Sequence, residues 1–394
     1  MNWRFTGLLA ALSTALIFPS FALGAPADRF SPTPFIVFAS SNARIGGYTP
    51  ADIDSAYGVT PLHQAGLTGR GQRIGLIELD GVSVNDITKF DRAYNLPAAS
   101  IRRIKVPGGS FSLKQQGETA MDIEWAHAMA PDAAIDVYLL KDTANENTFW
   151  NEAAQALHAA GANGDGAVSI SWGVCGPASS SSVTRSALSN LAKRGITVFV
   201  SSGDYGALPG PRKDCGSSPD VAYPASDPSV VAVGGTTLSL NPDGTIANQS
   251  AWRLSGGGIT SLPRPIWQVT PGLLAQEFRN APDVSFDGDP QSGVTVIYKG
   301  KWEVAAGTSL GAPCWAGIWS LVQQHAAQSG KTLAAASPLV YSIGNSTAYA
   351  QVFDDITTGS NGKYRAGIGW DAVTGWGTPD ASALATAVLA APSS

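Results

Sequence analysis

Histidine is scarce in this 394-residue chain: there are four, His63, His127, His158 and His325, and none stands in a glycine-rich motif of the kind that presents a general base. Cysteine is scarcer still, at three, and Cys314 lies among Ala, Trp and Ile, surroundings that raise a thiol pKa and exclude a reactive thiolate. Charged residues make up only 14% of the chain, the net charge is -5 and no long basic run occurs, which excludes nucleic acid as a partner. Beyond the first segment no stretch is long and apolar enough to span a bilayer. No internal repeat is present, and the two like Asp-centred motifs of an aspartic protease are missing.

What the chain does have is apolar mass and turn-formers: 44% hydrophobic residues, 44 Gly and 25 Pro, enough for one large core. Its first residues combine Arg4, an apolar run and the small residues Ala22, Gly24 and Ala25, the pattern of a secretory signal. Residues 1–24 are therefore expected to be a signal peptide cut after Gly24, with Ala27 as the second candidate, and the mature chain to be secreted, extracellular or periplasmic, with no stable membrane association. Residues 25–47 read as a short linker and residues 48–394 as one domain. In an oxidising compartment Cys175 and Cys215, each in a Gly/Pro/Ser loop after a strand-like run, are candidates to pair.

Near-continuous apolar runs predict strands at Arg73 to Leu79, Ala134 to Leu139, Ala167 to Trp172, Thr197 to Ser202 and Ser229 to Gly234. Helical patterns fall between or after them, at Glu118 to Met129, Thr148 to Ala160, Val183 to Arg194 and Ser309 to Ser329. This alternation predicts an α/β fold, a doubly wound and mainly parallel sheet with helices on both faces. From Ser239 to Tyr298 the pattern weakens, and long loops over one face are expected. In such sheets functional loops gather at the carboxyl ends of strands, where SISWGVCG and FVSSGDYGA both end.

Four elements carry candidate chemistry. Glu118 and Asp122, four apart, project from one face of a helix while Glu124 points elsewhere, and the apolar residues around them give that helix a buried character. Ser309, between Gly307 and Gly311 at a helix start, has the close access and the favourable dipole that a nucleophile needs, with Pro313 expected in the first turn. Asp204 ends a strand in SSGDYG. Asp355-Ile356 together with Gly367, Gly369 and Asp371 form an oxygen-rich turn region suited to a hard cation. The bland readings are a solvated acidic face, a helix N-cap and two Asp/Gly turns.

In this order, and with YTPADIDSAYGVTPLHQAGLTGRGQRIGLIELDG, ETAMDIEWAHAMAPDA, SISWG, YPASDPSVVAVGGT, AAGTSLGAP and GIGWDAVTGWGTP, the chain resembles the sedolisins, serine-carboxyl peptidases of subtilisin fold, from Tyr48 to the C-terminus. The resemblance implies a subtilisin-like fold with a C-terminal calcium-binding loop region and hydrolysis of polypeptide substrates by a monomer. It implies Ser309 as nucleophile, Glu118 as general base, Asp122 as the residue orienting Glu118, and Asp204 in the oxyanion hole. It also implies Glu78, Trp172 and Gly173 as network or substrate-lining positions. One structural Ca2+ would be held by Asp355 and Asp371 side chains and by main-chain oxygens of Ile356, Gly367 and Gly369. The family usually carries a long N-terminal prosegment, against the short linker here.

A carboxylate can replace histidine as the base if burial and a second acid raise its pKa, and a protonated Asp204 would restrict the work to acidic pH. Two competing readings remain: a subtilisin-type Ser/His/Asp hydrolase, which lacks its histidine motif, and an inactive, calcium-stabilised secreted binding protein on the same scaffold.

Overall fold

A computed structural model describes residues 32–38, 46–107, 116–141, 143, 145–176 and 181–391. The expected signal peptide, and residues 25–31 and 39–45 of the expected linker, lie outside the described residues. An eight-stranded sheet forms the centre. Its order is Ile246–Ala251, Val231–Leu240, Thr197–Ser201, Ala167–Ile170, Arg73–Glu78, Ala134–Leu139 and Ser100–Lys105, with Val284–Asp287 also paired to Val231–Leu240. Every pairing is parallel except that of Ile246–Ala251. The apolar runs are explained by burial on both faces. Ile74 and Leu76 enter one core with Met121, Trp125, Trp315 and Trp319 of helices Gln116–Met129 and Thr308–Gln328. Ile77, one residue out of phase, enters a second core with Phe149, Leu157, Leu188 and Leu191 of helices Glu146–Asn163 and Ser182–Lys193.

Three expectations are corrected. The stretch from Ser239 to Tyr298 is not long loops: it holds strands Ile246–Ala251, Gly258–Pro263, Phe278–Ala281, Val284–Asp287 and Val294–Tyr298. Several of these bury polar side chains such as Arg279, Asn280 and Asp287 beside apolar ones such as Val284 and Phe286. Arg279, fully buried, forms a two-pronged ion pair with Asp283 at 3.0 and 2.6 Å, a tertiary arrangement that leaves no hydrophobic period to read. The run expected to extend to Trp172 stops at Ile170, and Trp172–Gly173 pairs instead with Thr33–Pro34. Pro313 falls in the second turn of its helix, because the helix starts at Thr308. Its missing N–H releases the Ser309 carbonyl, which accepts a hydrogen bond from the Ser171 hydroxyl at 3.3 Å.

Part of the expected linker is built into the fold. Thr33–Pro34 runs antiparallel to Trp172–Gly173, and Val37–Phe38 runs antiparallel to the end of strand Lys301–Ala306. Cys175 and Cys215 are joined in a disulfide, with 5.2 Å between Cα atoms, and Cys314 is free and buried. Among the described residues no helix is long and apolar enough to cross a membrane.

Candidate active site

The carboxyl ends of the central strands and the amino ends of two helices meet at one place. Glu78 closes strand Arg73–Glu78 and, by the period-two alternation, shares the face of Ile74 and Leu76, toward helix Gln116–Met129. Glu118 and Asp122 stand on that helix four residues apart. Ser309 is the second residue of helix Thr308–Gln328. All four side chains are buried, Asp122 and Ser309 completely.

The site is a line of acids ending at a hydroxyl. Asp122 touches Glu78 on one side and Glu118 on the other, and Glu118 touches Ser309. As observed, the Ser309 hydroxyl donates to the Ser171 carbonyl at 3.0 Å and the Ser171 hydroxyl donates to the Ser309 carbonyl. With both hydroxyl protons directed there, Glu118 and Asp122 keep only close contacts with the hydroxyls, Glu118 with Ser309 and Asp122 with Ser171. Carboxyls buried this close hold together only with protons between them. Burial, then the charge of Glu78, then that of Asp204 push Glu118 well above the ordinary carboxyl range, while Ser309 and Asp122 pull it back. Burial and then the charges of Glu78 and Glu118 push Asp122 up as well. Glu78 is pushed to about 7 by burial, moderated by hydrogen bonding with Asp122 and Thr119.

Asp204 approaches from the loop after strand Thr197–Ser201. Its Oδ1 accepts from the Thr308 amide at 2.9 Å and the Thr308 hydroxyl at 2.8 Å. That hydroxyl in turn accepts from the Gly203 amide at 3.0 Å, so its own proton is committed to Asp204. Oδ1 is thereby an acceptor, and a proton on this carboxyl belongs on Oδ2, which is buried and without a partner. Burial pushes Asp204 to about 7, with the Thr308 contacts opposing. Gly307, at φ +113°, leaves room beside that oxygen: a Cβ there would lie 2.6 Å from Asp204 Oδ2 and would collide with the Phe35 carbonyl oxygen.

The remaining sequence candidates divide. Gly173 pairs with Thr33 and packs against the Phe35 ring. The Trp172 indole does not: it packs against Phe149 in the core, donating to the Ile77 carbonyl at 2.8 Å, and only its main chain borders the site. Glu124 is buried and accepts from the Ile297 amide at 2.9 Å, away from the acid line. His63 and His127 bond main-chain carbonyls of Met129 and Pro97 elsewhere in the fold. Ser171, Thr119, Thr308 and Phe35 were not singled out from the sequence. Ser171 and Thr308 sit inside quoted motifs, but hydroxyls beside glycines are too common there to mark a role.

Asp355 and Asp371 come together in the C-terminal loops. Asp355 Oδ2 accepts from the Gly369 amide at 2.9 Å, and Asp371 accepts from the Gly367, Val373 and Thr374 amides and the Thr374 hydroxyl. Asp355 Oδ1 is buried with no partner. Two carboxylates held by one loop, one with an unsatisfied buried oxygen, fit a hard cation.

The family model described as the subtilase family matches residues 115–377. Kumamolisin of Bacillus sp. (strain MN-32) is 32% identical over 89% of this chain and 65% of its own length. Sedolisin of Pseudomonas sp. (strain 101) is 29% identical over 86% of this chain and 60% of its own, and tripeptidyl-peptidase 1 of Dictyostelium discoideum is 30% identical over 79% and 53%. The chain thus spans between half and two-thirds of the length of these curated relatives. A solved structure of Pseudomonas sedolisin (serine-carboxyl proteinase), complexed with two molecules of pseudo-iodotyrostatin, superposes with a TM-score of 0.77 at 27% identity, covering 88% of this chain and 98% of that one.

Proposed function

The chain belongs to the sedolisin family, and on that premise we propose that it is a secreted, acid-acting peptidase that cuts polypeptides through an ester on Ser309. The observation that carries this reading is the convergence of Ser309, Glu118, Asp122 and Asp204, buried, on one cleft edge with no histidine among them. A binding protein has no use for three adjoining acids beside a buried hydroxyl.

The geometry supports a division of labour. Glu118, raised by burial and by its neighbours, accepts the Ser309 proton as the oxygen attacks the substrate carbonyl. Asp122 holds Glu118 in place and shares protons with it and with Glu78, so the line spreads the charge that develops. Oxyanion stabilisation comes from the Ser309 amide and from Asp204, whose Oδ2–H exists only below its own pKa. Protonation of the leaving amine returns the proton held on Glu118. Water then enters on the same path and releases the acid product.

Asp355 and Asp371 would hold one Ca2+, together with main-chain oxygens of Ile356, Gly367 and Gly369. The ion would tie the C-terminal loops together and takes no part in the reaction. The test is cleavage of a denatured protein across pH 3 to 8 by the purified chain beside Ser309→Ala. Cleavage that favours acid and vanishes in the variant supports the reading. Calcium-loaded, folded protein that cleaves nothing at any pH would overturn it in favour of a binding protein.

A further inference from the structure

Residues 33–38 cross the candidate site as an extended run, and their main chain shows how an extended polypeptide lies there. Thr33 and Pro34 pair antiparallel with Gly173 and Trp172. The Phe35 amide donates to the Ser171 carbonyl at 3.1 Å, and the Phe35 carbonyl accepts from the Ser309 amide at 3.4 Å. Val37 and Phe38 then pair with Ala306 and Ala305. The Phe35 carbonyl stands in for the substrate carbonyl beside Ser309, which numbers the places beyond it. Ile36 is the first residue past that bond and Phe38 the third.

The third place has a built surface. The Phe38 ring stacks on Tyr298, with 5.5 Å between centroids and 18° between planes. Beneath it is Gly117, where an added Cβ would stand 2.7 Å from the ring, so glycine there leaves the ring its room. Gly117 directly precedes Glu118, which puts this surface next to the proposed base. Phe38 itself stays 39% exposed, so the place opens to solvent and is not part of the core.

Tyr298 is held by the fold and does not depend on Phe38 for its position. It ends strand Val294–Tyr298, and the next two residues, Lys299 and Gly300 at φ +52° and +73°, make the left-handed pair of a tight hairpin turn into strand Lys301–Ala306. That turn is tied to helix Val84–Tyr94: the Gly300 amide donates to Asp86 at 2.9 Å, and the Lys89 ammonium donates to the Gly300 carbonyl at 2.7 Å. One residue before Tyr298, the Ile297 amide donates to buried Glu124 at 2.9 Å. The Lys299 ammonium lies 4.8 Å from the centre of the Tyr298 ring. A ring fixed in this way loses little freedom when a second ring settles on it.

We infer that Tyr298, with Gly117 as its floor, is a specificity-determining residue that selects an aromatic side chain at the third position on the carboxyl side of the bond cut. This deepens the peptidase reading and rests on it. Main-chain pairing with Ala305 and Ala306 accepts any sequence, whereas ring-on-ring contact separates Phe, Tyr and Trp from aliphatic and charged residues. The contact is remote from the reacting carbonyl, so it acts on KM and leaves kcat alone.

The experiment digests a proteome-derived peptide library at pH 4 to 5 with the full chain, beside Tyr298→Phe, Tyr298→Ala and Gly117→Ala, and reads by mass spectrometry which residues flank each cut. The peptides compete in one mixture, so relative rates report relative kcat/KM whatever fraction of clefts residues 33–38 leave open. The expected result is an aromatic enrichment of about three- to tenfold at the third position with wild type and Tyr298→Phe. It should vanish in Tyr298→Ala and weaken in Gly117→Ala, while preferences at the other positions stay as they were. Gly117→Ala and the wild-type profile decide the matter where Tyr298→Ala fails to fold. If peptides are cut with no aromatic enrichment at that position, or with the same enrichment in Tyr298→Ala, the inference falls and the peptidase reading stands. If wild type cuts none of them, both fall.

Discussion

Replacing Asp204 by asparagine separates its two oxygens chemically. The amide oxygen inherits the two donors from Thr308, at 2.9 and 2.8 Å, and those donors fix the orientation. The amide NH2 then occupies the position of Oδ2, facing the carbonyl to be attacked, and donates at every pH. The wild-type carboxyl, held near 7, is fully protonated at pH 5 but about a tenth protonated at pH 8, and loses its proton about tenfold further per unit beyond that. The ratio of Asp204→Asn to wild-type kcat/KM should therefore rise about tenfold per pH unit above 7, from a starting point at pH 5 within about tenfold of wild type. Asp204→Ala, which removes the donor outright, should lose about 10²- to 10³-fold at pH 5, roughly 3 to 4 kcal/mol. Initial rates on an internally quenched peptide from pH 4 to 9 measure all three. An asparagine variant that falls as far as alanine at pH 5, or whose ratio to wild type stays flat above pH 7, would refute the assignment of the proton to Oδ2.

Other consequences concern stability. Glu78 and Asp204 both have folded pKa values near 7, above their unfolded values, so the stability they contribute is full below about pH 4 and is lost as pH rises through 7. Calorimetric Tm should drop between pH 5 and pH 8, reflecting a loss on the order of a few kcal/mol, and a Tm that climbs over that range would contradict the burial of protonated acids. Calcium at about a hundred times its Kd should stabilise the fold by about 2.7 kcal/mol, and Asp355→Ala should abolish that gain in a thermal melt with and without chelator. Arg279→Met strands the buried carboxyl of Asp283, which also accepts from the Ala232 amide and the Tyr341 hydroxyl, and should cost about 3 to 5 kcal/mol in urea titration.

The sheet was legible because its strands are buried on both faces, and burial writes near-continuous apolar runs such as RIGLIE. Strand Ser100–Lys105, SIRRIK, was missed for the opposite reason. It is an edge strand whose Arg102 reaches the buried Asp136 of its neighbour, and charge on an edge hides the strand period. Between Ser239 and Tyr298 the strands are short and divided by Gly, Pro, Asn and Asp turns, and polar networks such as Arg279 with Asp283 interrupt the apolar pattern, although Val284, Phe286, Val294 and Val296 still enter the core. The four candidate catalytic residues could be picked from their motifs and from the buried character of their helix. Glu78, expected as a network position from the resemblance alone, reaches Asp122 where a strand end meets a helix face, a contact that no spacing in the sequence shows. The seating of residues 32–38 was out of reach for the same reason: PTPFIVF reads as linker until Ser171, Gly173 and Ala306 are seen beside it.

The central claim is that a carboxylate, not an imidazole, takes the serine proton. Glu118→Gln keeps the size of that side chain and removes its basicity, so kcat on a denatured protein or quenched peptide at pH 4 to 6 tests the claim most directly. The account predicts a loss of about 10²- to 10⁴-fold in kcat with the fold intact by circular dichroism. A glutamine variant that retains activity within tenfold of wild type, while alanine at His63, His127, His158 or His325 abolishes it, would contradict the claim.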